Sequence, residues 1–559
     1  MKANTILFRP GGKEWVSLLG LMILVFIAFN QVLSIDFLNW DDDQYVLANK
    51  RYQPGTERSV ISFFKGYDVG NYHPLTMLSY AIDLETSFSP KPFHRTNLLL
   101  HILNTLLVYV LLRYLKLTHW VALLSAVFFA LHPHRVESVA WISDRKDLLM
   151  TVFYLLSLIT FIHYTTISSY SSLLLSFIFF VAACLSKATA VTLPLVCLLY
   201  LFFYIQEKKL FRHLMLMPFF IISLIIGYVA ILAQTALSAI KTTNTIPLLW
   251  KPIVACFNLG IYLLQHIAPV GLQTYYLYPE KVYDILLPLL FIVLVTIAFS
   301  VFLVVRIRNS MVSFLFLSGV VAILPVLQII PVGDAMRADR YTYLSSAVWC
   351  ALPFIFLTGI PKVRLQLMYA LSLIYIAMVF SVTYRLLPSW KDSELLWKRS
   401  IAENPDWPVA YNNAGIYYIN TGRIDEAKDM FHRAIAIGDL TEGASINLGF
   451  IYNTENEPDS AAYFLQQGLK IFPNQPILLN NYAYTLYLQK RYNEALRNVN
   501  RSIALKSDNA YAYRNRALIF EALKQYDASC EDTKRAVALN YVAQWGDDVL
   551  LLQQKVCGY

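Results

Sequence analysis

Trp15-Val-Ser-Leu-Leu-Gly-Leu-Met-Ile-Leu-Val-Phe-Ile-Ala-Phe-Asn-Gln-Val-Leu-Ser-Ile35, followed shortly by Asn39-Trp40-Asp41-Asp42-Asp43-Gln44-Tyr45, sets the class of this chain. The first segment carries no Asp, Glu, Lys or Arg. It is long enough to cross a hydrocarbon core, which takes roughly 20 apolar residues. It exceeds the apolar region of a signal peptide and has no A-x-A site, so it is expected to persist as an anchor. Three carboxylates stand just beyond it. Adjacent carboxylates repel, and a low-dielectric surface makes ionising them together harder, so one is expected to hold its proton more tightly and to suit general-base work. The plain alternative is an interfacial acidic loop with solvated charges.

Outward from this stretch the composition is that of a polytopic membrane protein: 559 residues, 57% hydrophobic, 15% charged, with a mean hydropathy of +0.48. Further charge-free runs are Thr96–Leu112, Leu117–Pro133, Leu148–Ser186, Ala188–Ile205, Leu214–Ile240, Ile285–Val305, Asn309–Gly333, Tyr341–Pro361 and Leu365–Tyr384. Leu148–Ser186 is about twice the length one helix needs and is expected to turn around Thr165–Ser169. Lys and Arg concentrate in Lys2/Arg9/Lys13, Arg113/Lys116, Lys208/Lys209/Arg212, Arg306/Arg308 and Lys362/Arg364. All are cytoplasmic if Lys251–Val270, interrupted by Pro252 and Pro269, lies along the outer surface or re-enters. This arrangement gives about eleven spans with everything after Leu387 outside; a twelve-span alternative places that region inside. The net charge of +9 is spread over these loops and implies no nucleic-acid partner.

After the last run the chain repeats every 34 residues: Gly415, Gly449, Ala483 and Ala517; Ala427, Ala461, Ala495 and Ser529; Ala434, Gly468, Ser502 and Ala536. Small residues in three columns let paired helices approach closely, the pattern of tetratricopeptide repeats. Ser393, Trp397, Ser400 and Pro405 hold the phases of a preceding half-repeat, and Tyr541–Val556 is placed to cap the solenoid. The expected fold is therefore all-α, a membrane domain over 1–387 and an external repeat domain over 388–559. A fourth column, Asn413, Asn447, Asn481 and Asn515, lies on the first helix of each repeat. Carboxamides match a peptide backbone irrespective of its side chains, so this column is a candidate acceptor clamp; the alternative is a role within the repeats. Of six Cys only Cys530 and Cys557 fall in this region, and spacing alone leaves their pairing open.

Polar residues crowd the hydrophobic boundaries on the outer side. They include Tyr72-His73-Pro74, His94-Arg95, His132-Pro133-His134-Arg135-Val136-Glu137, Asp144-Arg145-Lys146-Asp147, Ser186-Lys187 and Gly333-Asp334-Ala335-Met336-Arg337-Ala338-Asp339-Arg340-Tyr341. Ionisable groups at membrane depth are costly and mark functional paths. Arg145, Lys146, Lys187, Arg337 and Arg340 bring positive charge to the face that carries Asp41 and Asp42, a set suited to phosphate. His101 and Asn104, one turn apart, read as helix–helix hydrogen bonds. His132 and His134 offer metal ligands, but no third ligand has diagnostic spacing. Tyr341 suits an interfacial anchor.

Trp40-Asp41-Asp42, the His132-Pro-His-x-x-Glu-Ser-Val-Ala loop ending in Arg145-Lys146-Asp147, Ser186-Lys187 and Asp339-Arg340-Tyr341-Thr-Tyr-Leu-Ser together resemble the transmembrane-and-tetratricopeptide-repeat-containing protein O-mannosyltransferases. The order of membrane half and external repeats matches as well. The resemblance implies a GT-C glycosyltransferase fold and a polyprenyl- or dolichyl-phosphate sugar donor. It also implies a catalytic base in the Asp41/Asp42 pair, with Asp43 an extra acid. Asp144-Arg145-Lys146-Asp147 and Ser186-Lys187-Ala188 stand where animal members have Gly-Arg-Ala-Asp and Cys-Lys-Glu, and the repeats are few. These departures imply a bacterial relative whose donor sugar need not be mannose. The expected location is then the inner membrane with periplasmic repeats, or the endoplasmic reticulum with lumenal repeats in a eukaryote.

The expected reaction is transfer with inversion to Ser/Thr hydroxyls of a protein held by the repeats. Asp41 or Asp42 acts as base, and Arg145, Lys146, Lys187 and Arg340 meet the donor phosphate. His73, His94, His132, His134, Glu137, Asp339 and Tyr341 line the same face. A divalent metal between phosphate and carboxylates fits the chemistry, but no spacing demands one. Two rivals remain: a lipid-linked or cell-surface glycan as acceptor, and a non-enzymatic envelope scaffold built on the repeats.

Overall fold

The computed structural model describes residues 10–52, 59–236, 250–279, 286–302, 310–329, 335–359, 361–438 and 443–558. Among these the regular structure is helical, apart from a two-stranded antiparallel ribbon of β1 (Tyr276–Leu277) and β2 (Ala335–Arg337). Two compact units are formed, Met1–Arg399 and Ser400–Tyr559. Their boundary falls inside the helix Ser393–Glu403, somewhat later than the division expected after Leu387.

In the first unit the charge-free runs become helices, because backbone polar groups in apolar surroundings must bond within their own segment. Among the described residues, five helices are long and apolar enough to cross a membrane: Gly12–Ser34, Pro90–Tyr114, Ile142–Ile167, Leu210–Thr235 and Arg364–Trp390. Shorter apolar helices are His119–Leu131, Tyr170–Ser186, Ala188–Tyr204, Leu286–Val301 and Met311–Val326. The run Tyr341–Pro361, expected as one span, is not one helix. Tyr343–Trp349 stops and Ile355–Gly359 forms a separate tight turn. Pro353 lies between them and lacks the N–H that would continue the ladder. Residues 343 to 349 are buried, so this segment is part of the core. Arg306, Arg308, Gly333 and Asp334 lie outside the described residues.

The helices that position the site are α1 (Gly12–Phe29), α2 (Pro74–Leu84), α3 (Pro90–Tyr114), α4 (His119–Leu131), α5 (Arg145–Ile167), α6 (Tyr170–Ser186) and α7 (Lys251–Ile267). The long run breaks where its length requires it: Ser168 takes a left-handed φ of 55°, and the Ser169 hydroxyl accepts from the Ser172 amide as α6 begins. One face of α3 carries buried His94, Asn97, His101, Asn104 and Thr105. That stripe clips neighbouring segments. Asn97 Nδ2 donates to the Trp141 carbonyl at 3.2 Å, and Asn104 Nδ2 donates to the Leu148 carbonyl at 2.9 Å. His101 Nδ1 lies 2.7 Å from the Tyr343 hydroxyl. Helix α7 contributes Asn258 and Tyr262, which bond backbone groups of Met336 and Ala338 and so hold the β2 segment.

In the second unit, helices pair as the small columns require. A methyl on Gly415 would lie 2.5 Å from the Phe431 ring, and one on Gly449 would lie 2.5 Å from Leu465. Gly422, Asn456, Lys490 and Lys524, again 34 apart, all take a left-handed φ between the two helices of a repeat. The segment Tyr541–Val556, expected as a cap, forms two helices, Tyr541–Trp545 and Asp548–Val556, with Gly546 at φ 101° between them. Cys530 and Cys557 form a disulfide with a Cα–Cα distance of 5.1 Å. Lys490 and Lys524 pay the steric cost of a left-handed L-residue, so Lys490→Gly is expected to stabilise the full chain by about 0.5–1 kcal/mol, net of glycine's entropy. A lower unfolding midpoint in that variant would show that the Lys490 side chain matters more than its backbone.

Candidate active site

The acidic loop follows a 3-10 turn at Asn30–Ser34, and its three carboxylates have three different surroundings. Asp42 is fully buried. Its Oδ2 accepts from the Leu38 amide at 3.0 Å, and its Oδ1 accepts from the Ser143 amide at 3.0 Å and the Ser143 hydroxyl at 2.5 Å. Burial dominates and pushes its carboxyl up to about 7, against those hydrogen bonds and with repulsion from Asp41 adding to the rise. Asp41 is half-buried, has a left-handed φ of 69°, and its side chain makes no hydrogen bond among the described residues. A non-glycine residue in that region is uncommon, and here it turns two successive carboxylates apart. Asp43 is exposed at the start of a short helical turn, Asp43–Leu47.

Trp141 joins this loop to the cations. Its indole N–H donates to the Trp40 carbonyl at 2.8 Å. The Arg340 guanidinium lies 5.2 Å from its ring centroid, and the Lys146 ammonium lies 5.8 Å from it. Lys146 also sits 4.9 Å over Tyr45, is half-buried, and has no carboxylate partner among the described residues. Lys187 follows the last turn of α6, where a cation complements the helix dipole, and donates to both Asp147 oxygens at 2.7 Å. Arg340 is chelated by Glu137, which takes both its amide and its guanidinium, and Asp144 Oδ1 lies 4.0 Å from its Nε. Tyr341 faces both cations, 5.0 Å from Arg340 and 6.0 Å from Lys187.

Arg145, expected among the phosphate ligands, is instead consumed inside the fold. It is fully buried, pairs with Asp83 at 2.5 Å, and donates to Asn97, Ser79 and the Phe93 carbonyl. Through these partners it ties α2, α3 and α5 together. His73 is buried against Tyr45, with ring centroids 5.3 Å apart. His94 is buried on the inner face of α3. His132 and His134 pack ring to ring at 4.6 Å, and His266 of α7 stacks on His132 at 5.2 Å. His134 lies 3.9 Å from Asp339. Asp339 is buried; burial and the Glu137 charge push it up to about 7, while the Tyr276 hydroxyl donates to it at 2.7 Å. Among the described residues no group of three His, Cys, Asp or Glu converges to hold a metal ion.

Ser143, Tyr276 and His266 belong to this constellation and were not singled out from the sequence. Ser143 was visible as a hydroxyl beside Asp144, but its partner Asp42 is 101 residues away. In the second unit the asparagine column is partly turned inward. Asn515 is buried, donates to Asn480 at 3.0 Å and accepts from Arg514 at 3.0 Å, so it is no groove residue. Asn447 donates to Asn412 at 3.4 Å, and Asn481 accepts from Asn480 at 3.3 Å. Asn413, Asn447 and Asn481 remain half-exposed.

A tetratricopeptide repeat model matches residues 409–438. Drosophila melanogaster protein O-mannosyl-transferase Tmtc2 is 32% identical over 193 residues, covering 32% of this chain and 20% of the relative. Tmtc1 of the same organism is 29% identical over 194 residues, covering 33% and 22%. A Caenorhabditis elegans protein O-mannosyl-transferase is 25% identical over 390 residues, covering 66% of this chain and 54% of the relative. That last share exceeds what the repeats can supply, so the likeness extends into the membrane half. The chain is a relative of the protein O-mannosyl-transferases. It spans about a fifth of the length of the two fly relatives.

The Asp42–Ser143 bond has a pH signature. Folding raises Asp42 above the usual carboxylate value of about 4, so the native state binds a proton that the unfolded chain releases. The stability this contributes is complete below about pH 4 and is lost as pH rises through about 7. Ser143→Ala removes the strongest lowering bond and is expected to move that falling limb to higher pH. Unfolding midpoints recorded across the neutral range check this, and coincident curves for the two proteins would refute it.

Proposed function

We propose that this chain is an inverting glycosyltransferase that moves a sugar from a polyprenyl- or dolichyl-phosphate donor to Ser/Thr hydroxyls of protein. Transfer would occur on the extracytoplasmic side of the membrane. The observation that carries the reading is the division of labour between adjacent acids: a half-buried Asp41 whose side chain makes no hydrogen bond among the described residues, beside a buried Asp42 whose two oxygens are both engaged. Asp41 is the base and Asp42 the positioning residue. Asp41 takes the acceptor hydroxyl proton as that oxygen bonds the anomeric carbon. The bond from that carbon to the lipid-phosphate oxygen breaks, and the phosphate leaves with the electron pair from the opposite face. Lys146, Lys187 and Arg340, gathered around Trp141 and Tyr341, stabilise the charge growing on it. The names of the relatives support protein as acceptor and mannose as the sugar. The Cys530–Cys557 disulfide supports an oxidising compartment for the repeats.

Asp41→Asn is expected to lower transfer by about 10²–10⁴ at unchanged unfolding midpoint, the usual weight of a general base. Asp42→Asn places an amide against the donors now held by its carboxylate, and is expected to lower stability together with activity. Transfer rates from a synthetic polyprenyl-phosphate sugar, read beside thermal unfolding, separate the two. Near-normal turnover in Asp41→Asn would remove this residue from the mechanism.

A second reading keeps the chemistry but gives the transferase a glycan acceptor, and the asparagines favour it to a degree. Bonds such as Asn447 to Asn412 use part of the column within the solenoid. If Asn413, Asn447 and Asn481 clamp a polypeptide, replacing all three with Ala should weaken protein acceptor binding by about 0.5–1.5 kcal/mol for each lost bond. Unchanged protein glycosylation in that triple variant would favour the glycan acceptor.

A further inference from the structure

A groove of about 510 Å³ lies between α1 and α3 in the first unit, and its two ends differ in chemistry. Phe26, Leu33, Leu99 and Ile102 give it apolar walls, while Ser89, Lys91 and Arg95 stand at the other end, where α3 begins. Both Lys91 and Arg95 are exposed, and neither makes an ion pair among the described residues. Nothing in the helix favours them there. Lys91 sits in the first turn, where the dipole repels a cation, and like charges four residues apart on a helix destabilise it. The topology expected from the loops puts this end on the outer side, away from the Lys and Arg clusters read as cytoplasmic.

We infer that this groove holds a membrane phospholipid with an anionic headgroup, its phosphate between Lys91 and Arg95 and an acyl chain along the apolar walls. The charge pattern favours such a lipid over a partner helix, which would need no cations at one end. It is also not the donor. By the 3.6-residue period, Lys91, Arg95, Leu99 and Ile102 lie roughly opposite Phe93 and Asn97 on α3. Those two residues contact Arg145 on the inner face, behind which the catalytic loop packs. A lipid wedged between α1 and α3 braces the helix that leads into Asp41.

Native mass spectrometry of the full chain, loaded separately with phosphatidylglycerol, phosphatidylcholine and undecaprenyl phosphate, tests the assignment. Two cations at the surface predict retention of phosphatidylglycerol over phosphatidylcholine by roughly ten- to thirtyfold. The preference should collapse toward unity in the double variant Lys91→Ala, Arg95→Ala and persist in Lys91→Arg, Arg95→Lys. Equal retention of the two phospholipids, or an undiminished preference in the alanine variant, overturns the proposal. Loss of undecaprenyl phosphate alone in that variant also overturns it, since the groove would then serve the donor. Should the alanine variant unfold at lower temperature in lipid-free detergent, Leu99→Trp takes its place. Filling the groove while keeping both charges is expected to displace phosphatidylglycerol, and unaltered retention there refutes the site.

Discussion

The carboxylate of Asp42, closed over the amide and hydroxyl of Ser143, holds the candidate site together. It joins the loop after the first helix to the loop before α5, and from that junction the other groups take their places. Trp141, two residues before Ser143, receives the Trp40 carbonyl on its indole N–H and presents its ring to Arg340 and Lys146. Lys146 and Asp147, just beyond, bring Lys187 into the same cluster. A buried carboxylate is costly unless its lone pairs are satisfied, and here three donors meet it. Its neighbour Asp41 is thereby left outside the network, turned away by a left-handed backbone.

This arrangement shows why fixed charges accumulate in pairs around the site. Lys187 lies against Asp147 and Arg340 against Glu137, so each cation is pre-aimed by an acid before any ligand arrives. Preorganised charge costs little reorganisation when negative charge develops nearby, which is the main electrostatic advantage of an enclosed site. Arg145 represents the other use of a buried cation. Held by Asp83, Asn97, Ser79 and Phe93, it acts as a tie between helices.

Much of this was legible in the sequence where one physical rule acts alone. Apolar run length located the helices and the turn at Ser168, and the 34-residue period located every repeat. Legibility failed where several rules compete at one position. Three adjacent acids look alike in sequence, and only packing against Ser143 distinguishes Asp42 from Asp41. Residues 343 to 349 of the charge-free run Tyr341–Pro361 are buried in protein, a condition that hydropathy cannot tell from burial in lipid. Asn515 shares its column with Asn413, but its burial beside Asn480 and Arg514 comes from tertiary neighbours. His266 gave no sign at all, since its cluster forms across more than 130 residues of chain.

The disulfide at the far end of the repeats gives the solenoid a direction. A linear array is bound only through nearest neighbours, so its ends are ordinarily the first part to loosen. Cys557 is bonded back to Cys530 in the helix Tyr526–Ala538, closing the segment between them into a covalent loop. In the chain-entropy view such a closure is worth roughly 3–4 kcal/mol. The segment after the helix Tyr526–Ala538 is thus held to that helix by a covalent bond as well as by packing, and a reductant is expected to loosen it before the repeats that precede it.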